Sequence, residues 1–212
     1  MITLFRNIRV IDSFSNLDDF KDILIENGII KDIAEPNSIN NPDFHIVEYS
    51  KNSLLIPGII DLRVETKDPG ETHTDNLETL LKSAAKSGVT TLACLPNTSP
   101  VIDEATMVES LSRRADSLNL SKLLIYGAAS IGLDDEKMSE LGLLNKAGVV
   151  GFTNANKPIY NPLLMKRILS YSTMLNLPII QHADIPELSQ DTEATDSEIS
   201  TRLGLRGVPS IT

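Results

Sequence analysis

The sequence predicts an α/β protein with a parallel sheet, preceded by a small β-rich module. Short β-forming runs separated by turn residues fill residues 1–57, whereas from Leu54 onward apolar runs alternate with amphipathic runs of helical length. Because strands that alternate with helices pair in parallel, we expect the second part to form a parallel sheet, either open or closed as a barrel. We place the boundary between the two parts at residues 57 and 58.

Three strands are predicted in the N-terminal part, at residues 3–11, 22–26 and 29–34. Asn27-Gly28 lies between the last two, and this pair favours a tight hairpin turn because both residues tolerate a positive φ. We therefore expect a small antiparallel module that contains one tight hairpin. The cluster of turn formers at residues 35–42 predicts a loop.

Five strands are predicted in the second part, since its apolar runs are short, as in strands buried on both faces. They lie at residues 54–62, 90–95, 123–128, 149–153 and 178–182. Helices are predicted at residues 75–87, 104–118, 134–146, 162–175 and 193–203. Gly88 and Gly148 mark helix ends, and Pro162 marks a first turn. A complete (β/α)₈ barrel has eight strands, so a barrel interpretation leaves three βα units unaccounted for.

The charge of the chain argues against nucleic acid and membrane surfaces as partners. The formal net charge is −10, and the basic pairs Arg113-Arg114 and Lys166-Arg167 fall in helical patterns, where solvated faces are expected. The single cysteine, Cys94, excludes an internal disulfide and fits a cytoplasmic protein. Neither a signal-peptide pattern nor an apolar run of about 20 residues is present, so we expect neither secretion nor membrane insertion.

Motifs along almost the whole chain resemble those of the dihydroorotases, a branch of the cyclic amidohydrolases. The matching segments are PGIIDL at 57–62, DPG at 68–70, GVTT at 88–91, LPNT at 95–98, GVVGFT at 148–153, LPIIQHAD at 177–184 and RLGLRGVP at 202–209. The resemblance implies a partial (β/α) TIM-type barrel, with residues 58–212 as its first five βα units. It also implies that residues 1–57 form a β-sandwich module.

The family hydrolyses the ring amide of dihydroorotate with bound zinc, and this sequence departs from the family at the zinc ligands. In the family the first strand carries His-x-His and the fourth strand supplies an acidic group or a carboxylated lysine. Arg63 and Glu65 stand at the His-x-His positions here, and Asn154 stands at the acidic position. Arg63 has no lone pair for a metal, and we expect it to pair with Glu65. Neither a metal nor any other cofactor is expected, and no catalytic residue is assigned.

Other positions of the family site are retained in part. His182 keeps the fifth-strand ligand position, but one histidine does not hold zinc, so we regard it as vestigial. Lys67 lies where the family has the arginine that grips the substrate carboxylate, and Asn97 matches its asparagine partner. Lysine keeps the charge but loses the bidentate geometry. A small carboxylate therefore stays a candidate ligand of Lys67 and Asn97.

We therefore expect a dihydroorotase-like protein of pyrimidine biosynthesis that is not catalytic and that acts as a structural partner of aspartate transcarbamoylase, or self-associates. Two alternatives stay open: an active dihydroorotase or related cyclic amidohydrolase with an atypical metal site, and a small-anion binding module. Five strands of a barrel would expose strand edges and an apolar interior, so a longer natural chain or a second associated piece is expected. A chain that ends at Thr212 would also lack the family's sixth-strand histidine and eighth-strand aspartate.

Overall fold

The computed structural model describes residues 2–41, 43–50 and 52–209. The chain separates into two compact units, the first ending at Gly58 and the second beginning at Ile59. The first unit contains a small cluster of buried residues around Ile8, Val10 and Ile23, and the second contains the main hydrophobic core.

The first unit is a mixed sheet of five strands. These are β1 (Ile2–Asp12), β2 (Leu17–Glu26), β3 (Ile29–Ala34), β4 (His45–Ile46) and β5 (Leu54–Leu55). The first three pair antiparallel, but β4 and β5 each pair with β1 in parallel. The antiparallel pairing predicted for the first three strands is confirmed, but the module is not antiparallel throughout. Strands β3, β4 and β5 all run in the direction of β1, so the connections from β3 to β4 and from β4 to β5 are crossovers. A sandwich needs two sheets, and the described residues of this unit form one.

The predicted hairpin at Asn27-Gly28 is confirmed. Glu26 pairs with Ile29 across the turn, and the two turn residues have φ values of +52° and +79°. A β-carbon is strained at these angles in most residues, whereas asparagine and glycine adopt them readily.

A buried carboxylate organises the loop that follows this hairpin. Asp22 on β2 is fully buried and accepts hydrogen bonds from the backbone N–H groups of Asn7, Asn37 and Ile39 at 2.8, 3.0 and 3.1 Å. Burial by itself raises the pKa of Asp22, but the three N–H donors together lower it below the ordinary value. The segment predicted as a loop is thus fixed to the sheet by a charged acceptor.

The second unit contains a parallel sheet whose strands follow chain order. Its strands are β6 (Ile59–Val64), β7 (Val89–Cys94), β8 (Lys122–Ile125), β9 (Gly127–Ala128), β10 (Phe152–Thr153) and β11 (Ile179–Ile180). Strands β6, β7 and β8 pair in parallel, as do β9, β10 and β11. Only Tyr126 separates β8 from β9. Its N–H donates to the Cys94 carbonyl at 2.9 Å, and the N–H of Gly127 donates to the Gly151 carbonyl at 3.0 Å. The predicted series of five parallel strands is therefore confirmed.

One predicted strand is divided in two. Residues 54–62 were expected to form a single strand, but β5 ends at Leu55 and β6 begins at Ile59. Pro57 lies in the gap, and a proline has no N–H with which to continue a strand's hydrogen bonding. The two pieces pair with different strands, β5 with β1 and β6 with β7.

The helices lie in the second unit. They are α1 (Leu77–Lys86), α2 (Ala105–Leu118), α3 (Leu141–Lys146), α4 (Pro162–Leu175), α5 (Pro186–Ser189) and α6 (Glu198–Leu203). The predicted helices that correspond to α1, α2 and α4 are confirmed. Asn76 and Asn161 cap α1 and α4 by accepting N–H groups of the first turn. None of the helices in the described part of the chain is long and apolar enough to cross a membrane.

Two predicted helices begin later than expected. Residues 134–140 are not helical: a 3₁₀ turn at Ile131–Leu133 precedes them, and Ser130 forms a bridge with Met138. Leu133 and Asp135 have positive φ, which a right-handed helix cannot accommodate. The predicted helix at 193–203 starts at Glu198, because Ala194–Thr195 form a short strand, β12, that pairs in parallel with β13 (Gly207–Val208).

The core of the second unit lies between the sheet and helices α1 to α4. Leu81, Ile102, Leu141, Phe152 and Ile168 are all fully buried there. Burial of a side chain of this size stabilises the fold by about 1.5–3 kcal/mol. The packing fixes the strands, and with them the residues that follow their carboxyl ends.

Candidate functional site

The predicted site residues lie at or just beyond the carboxyl ends of the parallel strands. Arg63 lies in β6 and Glu65 directly follows it, while Asn154 and His182 follow β10 and β11. Carboxyl ends of neighbouring parallel strands meet at one edge of a sheet, which is where α/β proteins place their ligand sites.

The predicted ion pair between Arg63 and Glu65 is wrong. Arg63 Nη2 instead donates to Asn156 Oδ1, and Asn156 Nδ2 donates to Glu65 Oε1 at 2.7 Å. Asn156 reaches both residues from the turn after β10, in which the N–H of Lys157 donates to the carbonyl of Asn154 at 3.0 Å. An amide can bridge the two charges because it both accepts and donates.

Sequence reasoning missed Asn156, although it lies two residues from a position that the family resemblance singled out. Its partners are 93 and 91 positions away in the sequence. The composition of a single turn does not reveal such a contact.

Both polar atoms of the Asn154 side chain are engaged in hydrogen bonds to a buried serine. It is 1% exposed, its Oδ1 accepts the N–H of Ser130 at 3.1 Å, and its Nδ2 donates to Ser130 Oγ at 2.8 Å. Ser130 is itself fully buried after β9. The residue at the family's acidic position thus ties β10 to the neighbouring strand.

His182 lies on a cavity of about 260 Å³ at the same edge of the sheet. The cavity also contacts Arg63 from β6, Tyr126 between β8 and β9, and Gln181 after β11. The structure therefore brings Arg63 and His182 together, whereas Glu65 and Asn154 do not line this cavity.

Lys67 and Asn97, the predicted substrate-binding pair, line a separate small cavity of about 120 Å³. Asn97 Oδ1 is buried there and has no hydrogen-bond partner among the residues that the structure describes. A buried acceptor of this kind costs about 1–3 kcal/mol unless a donor reaches it. Lys67 therefore presents a positive charge to this cavity, which Glu71 also lines.

The loop that carries Lys67 is held by an ion pair whose aspartate is buried and whose arginine is exposed. Asp68 accepts from Arg114 Nη1 at 2.8 Å and from Nη2 at 2.5 Å, and it also accepts the N–H of Leu77 at 3.2 Å. The hydrogen bonds from Arg114 lower the pKa of Asp68 despite its burial. Arg113 and Arg114 are both exposed, as predicted for a solvated helix face, and the guanidinium of Arg114 additionally reaches an aspartate 46 residues away.

Cys94 is not available as a metal ligand or nucleophile. It is fully buried at the end of β7, and burial raises the pKa of its thiol to about 12. A buried thiol that stays protonated reacts slowly, because the thiolate is the reactive form.

These residues do not fit the zinc that the family resemblance implies. Zinc sites use at least three side chains drawn from histidine, cysteine, aspartate and glutamate. In residues 2–41, 43–50 and 52–209, no group of three such side chains lies close enough to share a metal ion. The positions nearest the expected site are instead bound to each other through Asn156 or to Ser130.

Comparison with known sequences finds dihydroorotases among the relatives of this chain. A family model described as dihydro-orotase-like matches residues 52–212. The dihydroorotase of Desulforapulum autotrophicum is 32% identical over 99% of this chain and 49% of its own length. The dihydroorotases of Syntrophobacter fumaroxidans and of the Wolbachia of Brugia malayi are 37% and 38% identical, over 97% and 96% of this chain and 47% and 46% of their own lengths. The chain thus spans about half the length of the curated relatives it matches.

Comparison with solved structures finds the same fold. The L-hydantoinase (dihydropyrimidinase) of Arthrobacter aurescens has a TM-score of 0.69 at 19% identity, over 89% of this chain and 42% of the hydantoinase. The D-hydantoinase of Thermus sp. has a TM-score of 0.61 at 19% identity, over 88% of this chain and 41% of the hydantoinase. At these identities the likeness shows an α/β fold of the amidohydrolase type.

Proposed function

Because this chain belongs to the dihydroorotase-like family, we propose that it is a dihydroorotase-like protein of pyrimidine biosynthesis that has lost metal-dependent hydrolysis and acts as a structural partner. The observation that carries this proposal is the state of Arg63. It occupies a position where the family resemblance expects a zinc ligand, and it is hydrogen-bonded to Asn156. A guanidinium offers no lone pair and repels a divalent cation.

The neighbouring positions support the same conclusion. Glu65 is held by the amide of Asn156, and Asn154 is buried against Ser130. Recruiting Asn154 to a metal would break its hydrogen bonds to Ser130, and Glu65 has one carboxylate oxygen engaged by Asn156. In the family that the resemblance implies, bound zinc is what lowers the pKa of water toward neutrality, and these residues do not supply its ligands.

We infer that the second unit is the first half of a (β/α)₈ barrel. Its five parallel strands follow chain order, and the curated relatives are about twice as long as this chain. Strand β6 is one edge of the described sheet, and Ile59, Ile60 and Leu62 are exposed on it. An apolar strand edge invites pairing with another segment. In the assembled protein such a segment covers β6, and further strands complete a β-sandwich around the first unit.

The activity proposal is tested by following the ring opening of dihydroorotate in the ultraviolet, with and without added zinc. The dihydroorotase of Syntrophobacter fumaroxidans serves as the positive control. We expect no turnover above buffer from this chain. The double variant Arg63→His, Glu65→His should also be inactive, because Asn154 still stands where the family has its acidic group.

Two results together would establish the alternative of an active enzyme. Turnover would stay with the chain through a second purification step, and the chain would hold about one zinc that is lost in His182→Ala. In that case the protein is an active dihydroorotase or related cyclic amidohydrolase with an atypical metal site. His182 is the residue that favours this alternative, because it lines the cavity and has no hydrogen-bond partner in the described residues.

We propose the catalytic chain of aspartate transcarbamoylase as the partner, with self-association as the other arrangement that would cover β6. Sedimentation of the chain alone and mixed with that enzyme should show a complex. Ile60→Glu should weaken it, since Ile60 is 58% exposed on the edge strand, whereas Leu163→Glu, at a residue 55% exposed on α4, should not. If the chain sediments as a monomer in both samples, the proposal that it acts as a structural partner is wrong.

Lys67 and Asn97 support a retained site for a small carboxylate. Lys67 provides the charge, and Asn97 lines the same cavity. Dihydroorotate should therefore raise the melting temperature of the chain, and Lys67→Gln should abolish the shift. An equal shift in the variant would show that the ligand binds elsewhere.

A further inference from the structure

Helix α4 carries a surface groove of about 450 Å³ that the proposed function does not use. The groove shares no lining residue with the cavities at Arg63 and at Lys67. Its lining lies on the side of α4 opposite the buried residues of that helix, because the positions recur at a spacing of three and four residues. These positions are Leu163, Lys166, Arg167, Ser170, Tyr171 and Met174, and Met138 joins them from the segment before α3.

Large apolar side chains on this face of α4 are exposed. Leu163 is 55% exposed, Met174 79% and Tyr171 36%. Single exposed apolar residues are ordinary on a protein surface, but three of them on one helix face are typical of a surface that contacts a partner. Tyrosine, methionine and arginine are also enriched in protein interfaces. The face therefore has the composition of a protein-binding surface.

The groove lies between two helices that the described chain already supplies. Tyr171 lies against α3, since a β-carbon built on Gly142 would be only 2.8 Å from the tyrosine hydroxyl. Helix α3 precedes β10 and helix α4 follows it. A strand added to the parallel sheet would pair with β6 or β11, the strands at its two ends. Extending the sheet therefore leaves this groove open.

Lys166 and Arg167 give the middle of the face a positive charge. Helix α4 contains these two cations and neither aspartate nor glutamate. Within residues 2–41, 43–50 and 52–209, no carboxylate forms an ion pair with either of them. The whole chain has a formal net charge of −10, so this face is a local exception. Negative charge elsewhere repels an acidic segment and thereby confines it to this face.

The order of residues along the face defines the pattern of a complementary segment. Leu163 lies one helical turn before the two cations, and Met174 lies two turns after them. A matching segment has carboxylates in its middle and apolar side chains on both sides, over about three turns. Because the groove residues have helical spacing, a second helix repeats its side chains at the same intervals.

We propose that this groove binds an acidic amphipathic helix of another protein. The carboxylates of that helix contact Lys166 and Arg167, and its apolar side chains pack on Leu163, Tyr171 and Met174. The proposal does not depend on the loss of hydrolysis, on the site at Lys67 or on the contact proposed for β6.

The probe is a synthetic alanine-based helix of about four turns. It carries two adjacent glutamates, with one leucine a turn before them and another two turns after them. Two control peptides replace the glutamates by glutamine or the leucines by alanine. Binding of each labelled peptide to the full chain is measured by fluorescence anisotropy.

We expect the glutamate peptide to bind about three- to tenfold more tightly than the glutamine peptide, as for two exposed ion pairs. At about 1 M salt this preference should disappear, because exposed charges are then screened. The peptide without leucines should bind more weakly than either, since it lacks the apolar contacts.

Substitutions on the chain locate the binding face. Lys166→Gln with Arg167→Gln should remove the preference for glutamate. Lys86→Gln with Arg113→Gln deletes two exposed cations from α1 and α2 and should leave the preference unchanged. Leu163→Glu should abolish peptide binding without affecting association through β6, so the two proposals fail separately. All five residues are exposed, and far-ultraviolet circular dichroism checks that each variant is folded.

Three results would overturn the proposal. The first is that no peptide binds, or that all three bind equally. The second is that the Lys86 and Arg113 substitutions reduce the preference as much as those at Lys166 and Arg167. The third is that the chain binds vesicles of anionic phospholipid and loses this binding in Leu163→Glu, because the face would then contact a membrane instead of a helix.

Discussion

Replacement of Arg114 by methionine should destabilise the second unit substantially, because it leaves the buried carboxylate of Asp68 without its positively charged partner. The Asp68 side chain is 3% exposed and the Arg114 side chain 52% exposed, so the pair is buried at one end only. Methionine keeps most of the volume of the arginine stem and removes both hydrogen bonds to the carboxylate. The variant therefore tests the charge rather than the packing.

The magnitude follows from this asymmetry. Removing one partner of a buried ion pair costs about 3–5 kcal/mol, because an uncompensated charge stays behind. Here the carboxylate keeps the N–H of Leu77 at 3.2 Å, and water already screens the guanidinium. We therefore expect a loss of about 2–3 kcal/mol in the free energy of unfolding at neutral pH.

The loss should depend on pH in a defined direction. The pKa of Asp68 is lowered in the folded chain, mainly by the hydrogen bonds from Arg114. Its stabilising contribution is thus complete above the unfolded pKa of about 3.9 and disappears as the pH falls through the lowered folded pKa. The difference between wild type and Arg114→Met should shrink in that acidic range.

Urea unfolding followed by far-ultraviolet circular dichroism is the appropriate assay, since the helices of the described residues lie in the second unit. Arg9→Met is a matched control: Arg9 also holds an aspartate, Asp18, by two hydrogen bonds of 2.8 and 2.9 Å, but both side chains are exposed. The control should not differ from wild type beyond experimental error. Equal effects of the two substitutions, or a loss in Arg114→Met that grows with acid, would refute this reasoning.

Two other predictions concern buried groups outside the site. Asp22→Asn should destabilise the first unit by about 2–3 kcal/mol, since hydrogen bonds to a charged acceptor are stronger than those to an amide. Thermal unfolding followed by tyrosine fluorescence would measure this loss in a background where Tyr126, Tyr160 and Tyr171 are phenylalanine, so that Tyr49 alone reports on the first unit. An unchanged midpoint would contradict the prediction. Cys94, with a thiol pKa of about 12, should not react with a thiol reagent at mildly alkaline pH until urea is added. Rapid labelling of the folded chain would show that the thiol is accessible.

The sequence determined the secondary structure wherever the signal was local. The Asn27-Gly28 hairpin, the capped helices α1 and α4 and the five apolar strands all occur, because turn angles, caps and periodicity depend on residues close together in the chain. Prediction failed at residues 134–140, where an amphipathic pattern suggested a helix but positive φ values at Leu133 and Asp135 prevent one.

The identity of the residues at the family's ligand positions was likewise readable from the sequence. That Arg63 cannot hold zinc follows from the chemistry of a guanidinium, whatever surrounds it. The family itself could also be recognised, because motifs that follow successive strands kept their order and spacing.

The partners of these residues were decided only by the tertiary structure. Arg63 and Glu65 are two positions apart, yet Asn156 lies between their charges, and Arg114 neutralises Asp68 from 46 positions away. A strand determines the spacing of its own side chains. It does not determine which residue of a neighbouring loop contacts the end of that strand. The register of parallel strands and the turns that follow them bring these groups within hydrogen-bonding distance, and that geometry joins Arg63 to Glu65 through Asn156 rather than directly.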